Sequence, residues 1–506
     1  MKKWIVLSLA VAFTLNVTAV RKKSEIKLRF DATKGVEQSM IMPQGDVVEY
    51  TAYERLYYVK YVEDTTFQYL NVYVPKGATA KSPVFLRTYV GGYMAAAAGQ
   101  PQADDASGRA LKEGYVVVIP GTRGRNSSVK TGRNKTVYNG RAPKALLDLK
   151  AAVRYLRLFD GEMAGDAERI VVDGTSAGGA MAALLGATGN HPDYEVLLKD
   201  MGAADTRDDV FAVVSYCPIT DLNHADAAYE WMFGQTERRM LADEVHRKMS
   251  EELATQYPAY LNGLNLRKTD GSPLTANNYI DYLASFIIEG AQRAKDAGAD
   301  IPQDMGFTFS MSVFGRQLPA VEGERTRPLN AGGRYTGTGD RTLPEIMGGN
   351  RLGEYITGLD MTVFLNYITS RNTLKTVPAF DSEITSIGQS ASGENALFGN
   401  EEGMSANFTD YTAAKNGQKV SDKVRENVRL LNPMNYIDDH RSAVAHHWYI
   451  RHGAIDLDTA YPVAINLATK LDNTGKNVDF LLAWNRPHSG DYALNELFGW
   501  LKSILR

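Results

Sequence analysis

The chain has 506 residues and a net charge of −3, with 44% hydrophobic and 23% charged residues and no long run of either sign. This is more than one ordinary domain of about 100–200 residues, has the composition of a soluble globular protein, and offers no charge block that would favour nucleic acid or a charged membrane surface as partner. With one cysteine, Cys217, the chain forms no internal disulfide and must rely on its core.

Lys2-Lys3 opens the sequence as a positive patch, and Trp4 to Val17 is apolar apart from Ser8, Thr14 and Asn16. With the small residues of Val17-Thr18-Ala19 behind it, this stretch reads as a secretory signal peptide over 1–19, short for a membrane span. It predicts a secreted or periplasmic protein with no membrane contact after cleavage; the alternative is an uncleaved anchor.

Phe67 to Val74 alternates with polar residues and predicts an edge strand. Pro83 to Val90 and Tyr115 to Pro120 are β-rich with few polar breaks, as central strands of a mostly parallel sheet are. A short helix is predicted over Ser107 to Lys112 and a longer one over Ala145 to Leu156. Between them, Gly121-Thr122-Arg123-Gly124-Arg125-Asn126 lacks the lysine of a phosphate-binding loop and predicts a loop beside the active site.

The run Glu168-Arg169-Ile170-Val171-Val172-Asp173 leads into Gly174-Thr175-Ser176-Ala177-Gly178-Gly179, and an Ala-rich helical pattern leaves it. A strand, a turn of small residues around a serine, and a helix together form the context of a nucleophile elbow, G-x-S-x-G. The turn is so tight that flanking positions carry little side chain, and the serine hydroxyl is pushed out above the sheet. Phe211 to Cys217 follows as a buried strand, in which Cys217 reads as a small core residue rather than a nucleophile.

Strand–helix alternation stops near Pro218 and resumes near Trp448. Between them lie an amphipathic helical pattern over Tyr279 to Ala297, a Gly- and Thr-rich stretch from Ala331 to Gly349 that reads as loop, and charged helical segments, together an inserted lid. The tail supplies a strand over Trp448 to Gly453, a helix over Tyr461 to Leu471, a strand over Val478 to Trp484 and a closing helix over Tyr492 to Leu505. The expected fold is an α/β-hydrolase with a mostly parallel sheet: a first part over 20–218, an inserted lid over 219–435 and a second part over 436–506.

A serine nucleophile needs a base, and the base an orienting acid; in this fold they follow in the order Ser, Asp or Glu, His. Asp456 and Asp458 come just after one tail strand, and His488 sits in a Pro- and Gly-flanked loop after the next. Of the eight histidines only His488 lies beyond those acids, which makes it the candidate base. Spacing does not separate the two aspartates. The N–H of Ala177 and the loop at Gly91-Gly92 are candidate donors to the oxyanion. His446-His447 lacks ligand spacing and there is no HExxH or CxxC, so no metal site and no cofactor is expected.

Beyond the elbow, the chain resembles the bacterial tannases, tannin acyl hydrolases of the α/β-hydrolase superfamily. The resemblance rests on Tyr216-Cys217-Pro218-Ile219-Thr220-Asp221, on His224-Ala225-Asp226 with Tyr229-Glu230-Trp231, on Pro378-Ala379-Phe380-Asp381, on Glu394-Asn395, on Arg451-His452-Gly453 through Asp456-Leu457-Asp458, and on Pro487-His488. It implies Ser176 as nucleophile, Asp456 as acid and His488 as base. It also implies that Lys375, Glu394 and Asp458 hold the three adjacent hydroxyls of a galloyl ring, with Glu383 a rival for Glu394. The implied substrates are galloyl esters. The competing expectation is a feruloyl or general carboxylesterase with the same triad and a different ring pocket.

Overall fold

The structure, a computed structural model, describes residues 25–132, 135–312, 353–382, 384 and 392–505. The expected signal peptide, the Ala331–Gly349 loop and Glu383 lie outside the described residues.

Among the described residues, nine strands form one sheet in the order β1-β2-β3-β5-β4-β8-β9-β12-β13. They are β1 (Val36–Ile41), β2 (Val47–Tyr57), β3 (Tyr69–Pro75), β4 (Pro83–Arg87), β5 (Val116–Pro120), β8 (Asp166–Thr175), β9 (Ala212–Tyr216), β12 (His447–Gly453) and β13 (Asn477–Ala483). From β5 to β13 the pairing is parallel; β1, β2 and β3 join it antiparallel. Two small antiparallel pairs stand apart from the sheet: β6 (Val129–Thr131) with β7 (Lys135–Val137), and β10 (Phe307–Ser312) with β11 (Gly353–Leu359).

One expectation needs correction. The Phe67–Val74 segment does not form the edge of the sheet, because β3 lies between β2 and β5 and is buried almost throughout. On that side β1 is the edge and β2 the next strand in, and their mixture of charged, polar and exposed residues gives no buried-strand signal.

The central strands are apolar on both faces because each face is covered. Along β5, Val116 and Val118 join the larger core, under helices Lys144–Leu158 and Ala177–Ala187, while Val117 and Ile119 join the smaller one, under Ala106–Lys112 and Leu494–Ile504. Between β9 and β12 the described chain is mainly helical, with Leu222–Phe233, Tyr279–Asp296 and Met361–Arg371 among its elements. No helix among the described residues is long and apolar enough to cross a membrane.

Parallel strands place all their carboxyl ends on one edge of the sheet, where ligands of open α/β sheets bind. The residues after β4, β8, β12 and β13 therefore meet there: Gly91-Gly92, Ser176, Asp456 with Asp458, and His488.

Candidate active site

Ser176 has φ 63° and ψ −124°, a conformation that non-glycine residues rarely adopt and that must be held by its surroundings. Its N–H donates to the Tyr216 carbonyl at the end of β9 (2.9 Å). The turn leaves no room for side chains nearby. A Cβ on Gly174 would lie 2.4 Å from the Gly178 carbonyl oxygen, and one on Gly178 would lie 2.8 Å from the Val90 carbonyl oxygen. The second contact seats the start of helix Ala177–Ala187 against the loop that continues into Gly91-Gly92. The first N–H groups of a helix have no partner within it and carry its positive dipole end, so Ala177 offers a donor beside Ser176.

His488 Nδ1 lies 2.8 Å from Asp456 Oδ2. That bond places the ring proton on Nδ1 and leaves Nε2 as the acceptor. Asp456 is fully buried, and its other oxygen accepts the N–H of Asp458 (2.8 Å). Burial alone would raise the Asp456 carboxyl, but the imidazoles of His452 and His488 outweigh it and hold the group below its ordinary value. For His488, burial works against the charged form. The bond to Asp456 and the charges of Asp456 and Asp458 prevail, raising the imidazole, and Lys375 opposes them. His452 is fully buried behind this pair, and burial lowers its pKa.

The His488 loop is packed against the elbow. A Cβ on Gly490 would sit 1.9 Å from Thr175 Oγ1, one residue before Ser176. Asp491 pairs with Arg87 at the end of β4 (2.5 Å), and Arg87 also pairs with the buried Asp173 of β8. Cys217, buried as expected, donates its S–H to the Ser489 carbonyl (3.3 Å).

The remaining candidates gather beside this triplet. Asp458 is half-exposed, with Oδ2 3.9 Å from His488 Nδ1 and Oδ1 3.5 Å from Lys375 Nζ. Lys375 Nζ also stands 4.9 Å above the Phe380 ring. Glu394 is half-buried; burial raises its carboxyl, and the nearby charges of Lys375 and Arg125 offset part of that. Ser176, Ala177, Gly91, Gly92, Asp456, Asp458, His488, Lys375 and Glu394 thus lie about one sheet edge and the inserted segment facing it.

Sequence reasoning missed what holds Lys375 there. The Tyr229 hydroxyl receives the Lys375 N–H (3.0 Å) and donates to the Leu457 carbonyl (2.7 Å), bridging the insertion to the residue between the two aspartates. Arg239 donates to the Lys375 carbonyl (2.6 Å) and is itself held by the buried Glu230 (2.7 Å). Asp381 is buried, accepting from Asn395, Asn407 and Thr409, so it anchors helix Gly393–Leu397, which carries Glu394. The only signal for these partners lay in the resemblance blocks that contain Tyr229, Glu230, Asp381 and Asn395.

Among the described residues, two clusters carry metal-ligand atoms within 4.8 Å of one another: Cys217, His452 and Asp456, and Asp456, Asp458 and His488. Both share Asp456, whose oxygens are already engaged by His488 and the Asp458 N–H.

A mostly parallel sheet of this order, with a serine on a strained strand–helix turn and a His–Asp pair on the loops after the last two strands, is an α/β-hydrolase. The profile of a family described as BD-FAE matches residues 70–261. Esterase LipC of Mycobacterium tuberculosis is 32% identical over 119 residues, and the match spans 26% of that protein's length. Whole-chain similarity is to solved structures. A tannin acyl hydrolase from Lactobacillus plantarum is 34% identical, with a TM-score of 0.79 over 95% of this chain and 99% of that one. A tannase from Fusobacterium nucleatum is 33% identical, with a TM-score of 0.78 over 95% and 100% of the two chains. A tannin acyl hydrolase in complex with ethyl gallate gives 34% and 0.78, over 95% and 99%. The chain belongs to the tannin acyl hydrolases, a family of carboxylic ester hydrolases.

Proposed function

We propose that this protein is an exported serine esterase that cleaves galloyl esters, both tannins and simple gallates, and releases gallic acid. The observation that carries the reading is the meeting of the His488–Asp456 pair with the Lys375–Asp458 pair at the edge where Ser176 leaves the sheet. Export rests on the sequence of residues 1–19.

His488 takes the proton of Ser176 as the hydroxyl attacks the ester carbonyl, and Asp456 stabilises the imidazolium. Ala177 N–H and the Gly91-Gly92 loop receive the oxyanion. The alcohol leaves with the proton from His488, giving a galloyl-enzyme. Water, deprotonated by His488, then attacks the acyl carbonyl; gallic acid departs and Ser176 regains its proton. No step in this scheme calls for a cofactor.

A galloyl ring presents three neighbouring O–H groups. The carboxylates of Asp458 and Glu394 accept from them, while Lys375 donates to a phenol oxygen or steadies a phenolate. The insertion over 219–435 serves as lid and as the wall that recognises the ring. A ring lacking one hydroxyl leaves a polar group unpaired, at about 1–3 kcal/mol, or roughly 5- to 150-fold in kcat/KM.

The test is hydrolysis of methyl gallate against methyl ferulate and an aliphatic ester, with Ser176→Ala as control. Strong gallate preference, lost turnover and unchanged folding in Ser176→Ala are expected. Equal or reversed preference would place the protein among feruloyl or general carboxylesterases and remove the ring-pocket roles; turnover by Ser176→Ala would remove the nucleophile.

A further inference from the structure

The stretch Gly121-Thr122-Arg123-Gly124-Arg125-Asn126 has no part in the scheme above, yet it lies along the loop that contains Gly91 and Gly92. Thr122 and Ala96 exchange both backbone hydrogen bonds (2.8 and 3.0 Å). Asn126 Oδ1 accepts the Ala95 N–H (2.7 Å). Arg125 donates twice: its N–H to the Tyr93 carbonyl (2.9 Å) and its Nε to the Gly92 carbonyl (2.7 Å). Gly92 and Tyr93 both have left-handed φ, 53° and 57°, so this turn needs outside support, especially at Tyr93. Because a peptide unit is planar, a guanidinium holding the Gly92 carbonyl fixes the Gly92–Tyr93 plane and the aim of its Tyr93 N–H, and by pinning one side of Gly92 it restrains the neighbouring Gly91–Gly92 peptide.

The other side of the same guanidinium meets the inserted segment. Gly393 lies so close that a Cβ there would be 2.9 Å from Arg125 Cζ and Nε. The next residue is Glu394. The backbone of Arg125 is tied to the same helix by Arg141, which donates to the Arg125 carbonyl (2.7 Å) and also to the Ala396 carbonyl. Arg125 thus stands between the loop beside the elbow and the helix that carries Glu394.

We propose that Arg125 is a positioning residue that couples the oxyanion loop to recognition of the acyl ring. Its Nε aims the Gly92 peptide, and its charge and bulk set Glu394. The inference rests on the reading of Gly91-Gly92 as oxyanion loop and Glu394 as ring contact. It adds that a well-seated ring and a well-aimed oxyanion donor are properties of one side chain.

The experiment compares Arg125→Gln, Arg125→Lys, Glu394→Gln and the double variant Arg125→Gln/Glu394→Gln in the full chain. Each is assayed on methyl gallate and on p-nitrophenyl acetate, whose acyl group has no ring, with thermal melts alongside. Arg125→Gln is expected to lower kcat on both esters by about tenfold or more, below the hundredfold and greater losses seen when an oxyanion donor is removed outright. On methyl gallate a further loss of about fivefold is expected in kcat/KM. Arg125→Lys should restore the extra gallate loss through its charge but not kcat on p-nitrophenyl acetate, since an ammonium lacks the guanidinium fork. In the double variant the gallate-specific losses should be less than additive.

A folded Arg125→Gln or Arg125→Lys with parental kcat on p-nitrophenyl acetate would overturn the positioning role. Additive losses would overturn the coupling. If Glu394→Gln alone leaves the ratio of gallate to acetate rates unchanged, the ring assignment fails and takes the coupling with it, while the effect of Arg125 on the acetate still decides the loop. A role in stability only would lower the melting temperature without moving either ratio.

Discussion

Asp458→Asn should move the acid limb of the pH–rate profile downward. The Asp458 carboxylate lies 3.9 Å from His488 Nδ1 and its charge favours imidazolium. At that distance two unit charges interact by about 1 kcal/mol at the dielectric of water and several-fold more in a drier medium. Asp458 is 48% exposed, so the water-like value applies. Removing the charge therefore lowers the His488 pKa, through an interaction on the order of 1 kcal/mol. In the proposed scheme neutral His488 is the base, so the rate falls as pH drops through its pKa, and a lower pKa shifts that fall to lower pH. The assay is kcat/KM against pH on p-nitrophenyl acetate, which avoids Glu394, whose own raised carboxyl would overlap on a gallate ester. Lys375 opposes the imidazolium, so Lys375→Ala should move the limb upward and the double variant should return it towards its parental position. An acid limb that stays in place or rises in Asp458→Asn would refute the argument. On methyl gallate the same variant should mainly raise KM; a kcat collapsing to the level of Ser176→Ala would mean that the roles of Asp456 and Asp458 are exchanged.

Asp456→Asn should instead lower kcat by about 10⁴-fold with KM little changed, because the wrong tautomer of His488 is then held; a mild loss would argue against Asp456 as the orienting acid. Gly490→Ala pushes a methyl against Thr175 Oγ1, and overpacking of this kind costs about 1–3 kcal/mol. A fall in kcat is expected as the His488 loop shifts, and parental kcat and melting temperature would contradict that packing. Arg123→Met strands the carboxylate of Asp148, which is fully buried beside it, so chemical denaturation should show a loss of about 3–5 kcal/mol; less than 1 kcal/mol would mean that the pair is not sealed from water. Burial raises the Cys217 thiol, so a disulfide exchange reagent should titrate it only after unfolding, and rapid reaction of the native protein would contradict its placement.

What the sequence reveals of the fold follows from how local each signal is. The elbow is contiguous, and its glycines are required by contacts within five residues or across one strand, so a hexapeptide and its flanks suffice to recognise it. The buried strands β4, β5, β8 and β9 are apolar on both faces and read as such. β1 and β2 do not. They alternate charge with exposed apolar groups, and Val36, Ile41 and Val47 face solvent. Their strand conformation comes from pairing partners, which periodicity within one segment cannot report.

The same distinction divides the site. Ser176, Asp456 and His488 lie one to five residues beyond strands, so strand recognition and chain order lead to them. The tie between Asp456 and Asp458 is a matter of two residues in a loop. Geometry separates them: one carboxylate is sealed against His488, and the other is half-exposed and turned to Lys375. Spacing contains nothing of this, because both positions follow the same strand. The proposed ring pocket is further from local legibility. Lys375 and Glu394 acquire their setting from Tyr229, Arg239 and Asp381, and the first two of these are more than a hundred residues from Lys375. Burial is what makes such partners structural: Glu230 and Asp381 are charged groups inside the insertion, and each is tolerated because an arginine or several donors surround it. A charged residue in a long polar stretch looks like solvated surface until those donors are known. A sheet that carries catalysis on strand ends and recognition on an insertion can therefore declare its chemistry in sequence while its specificity is written only in tertiary contacts.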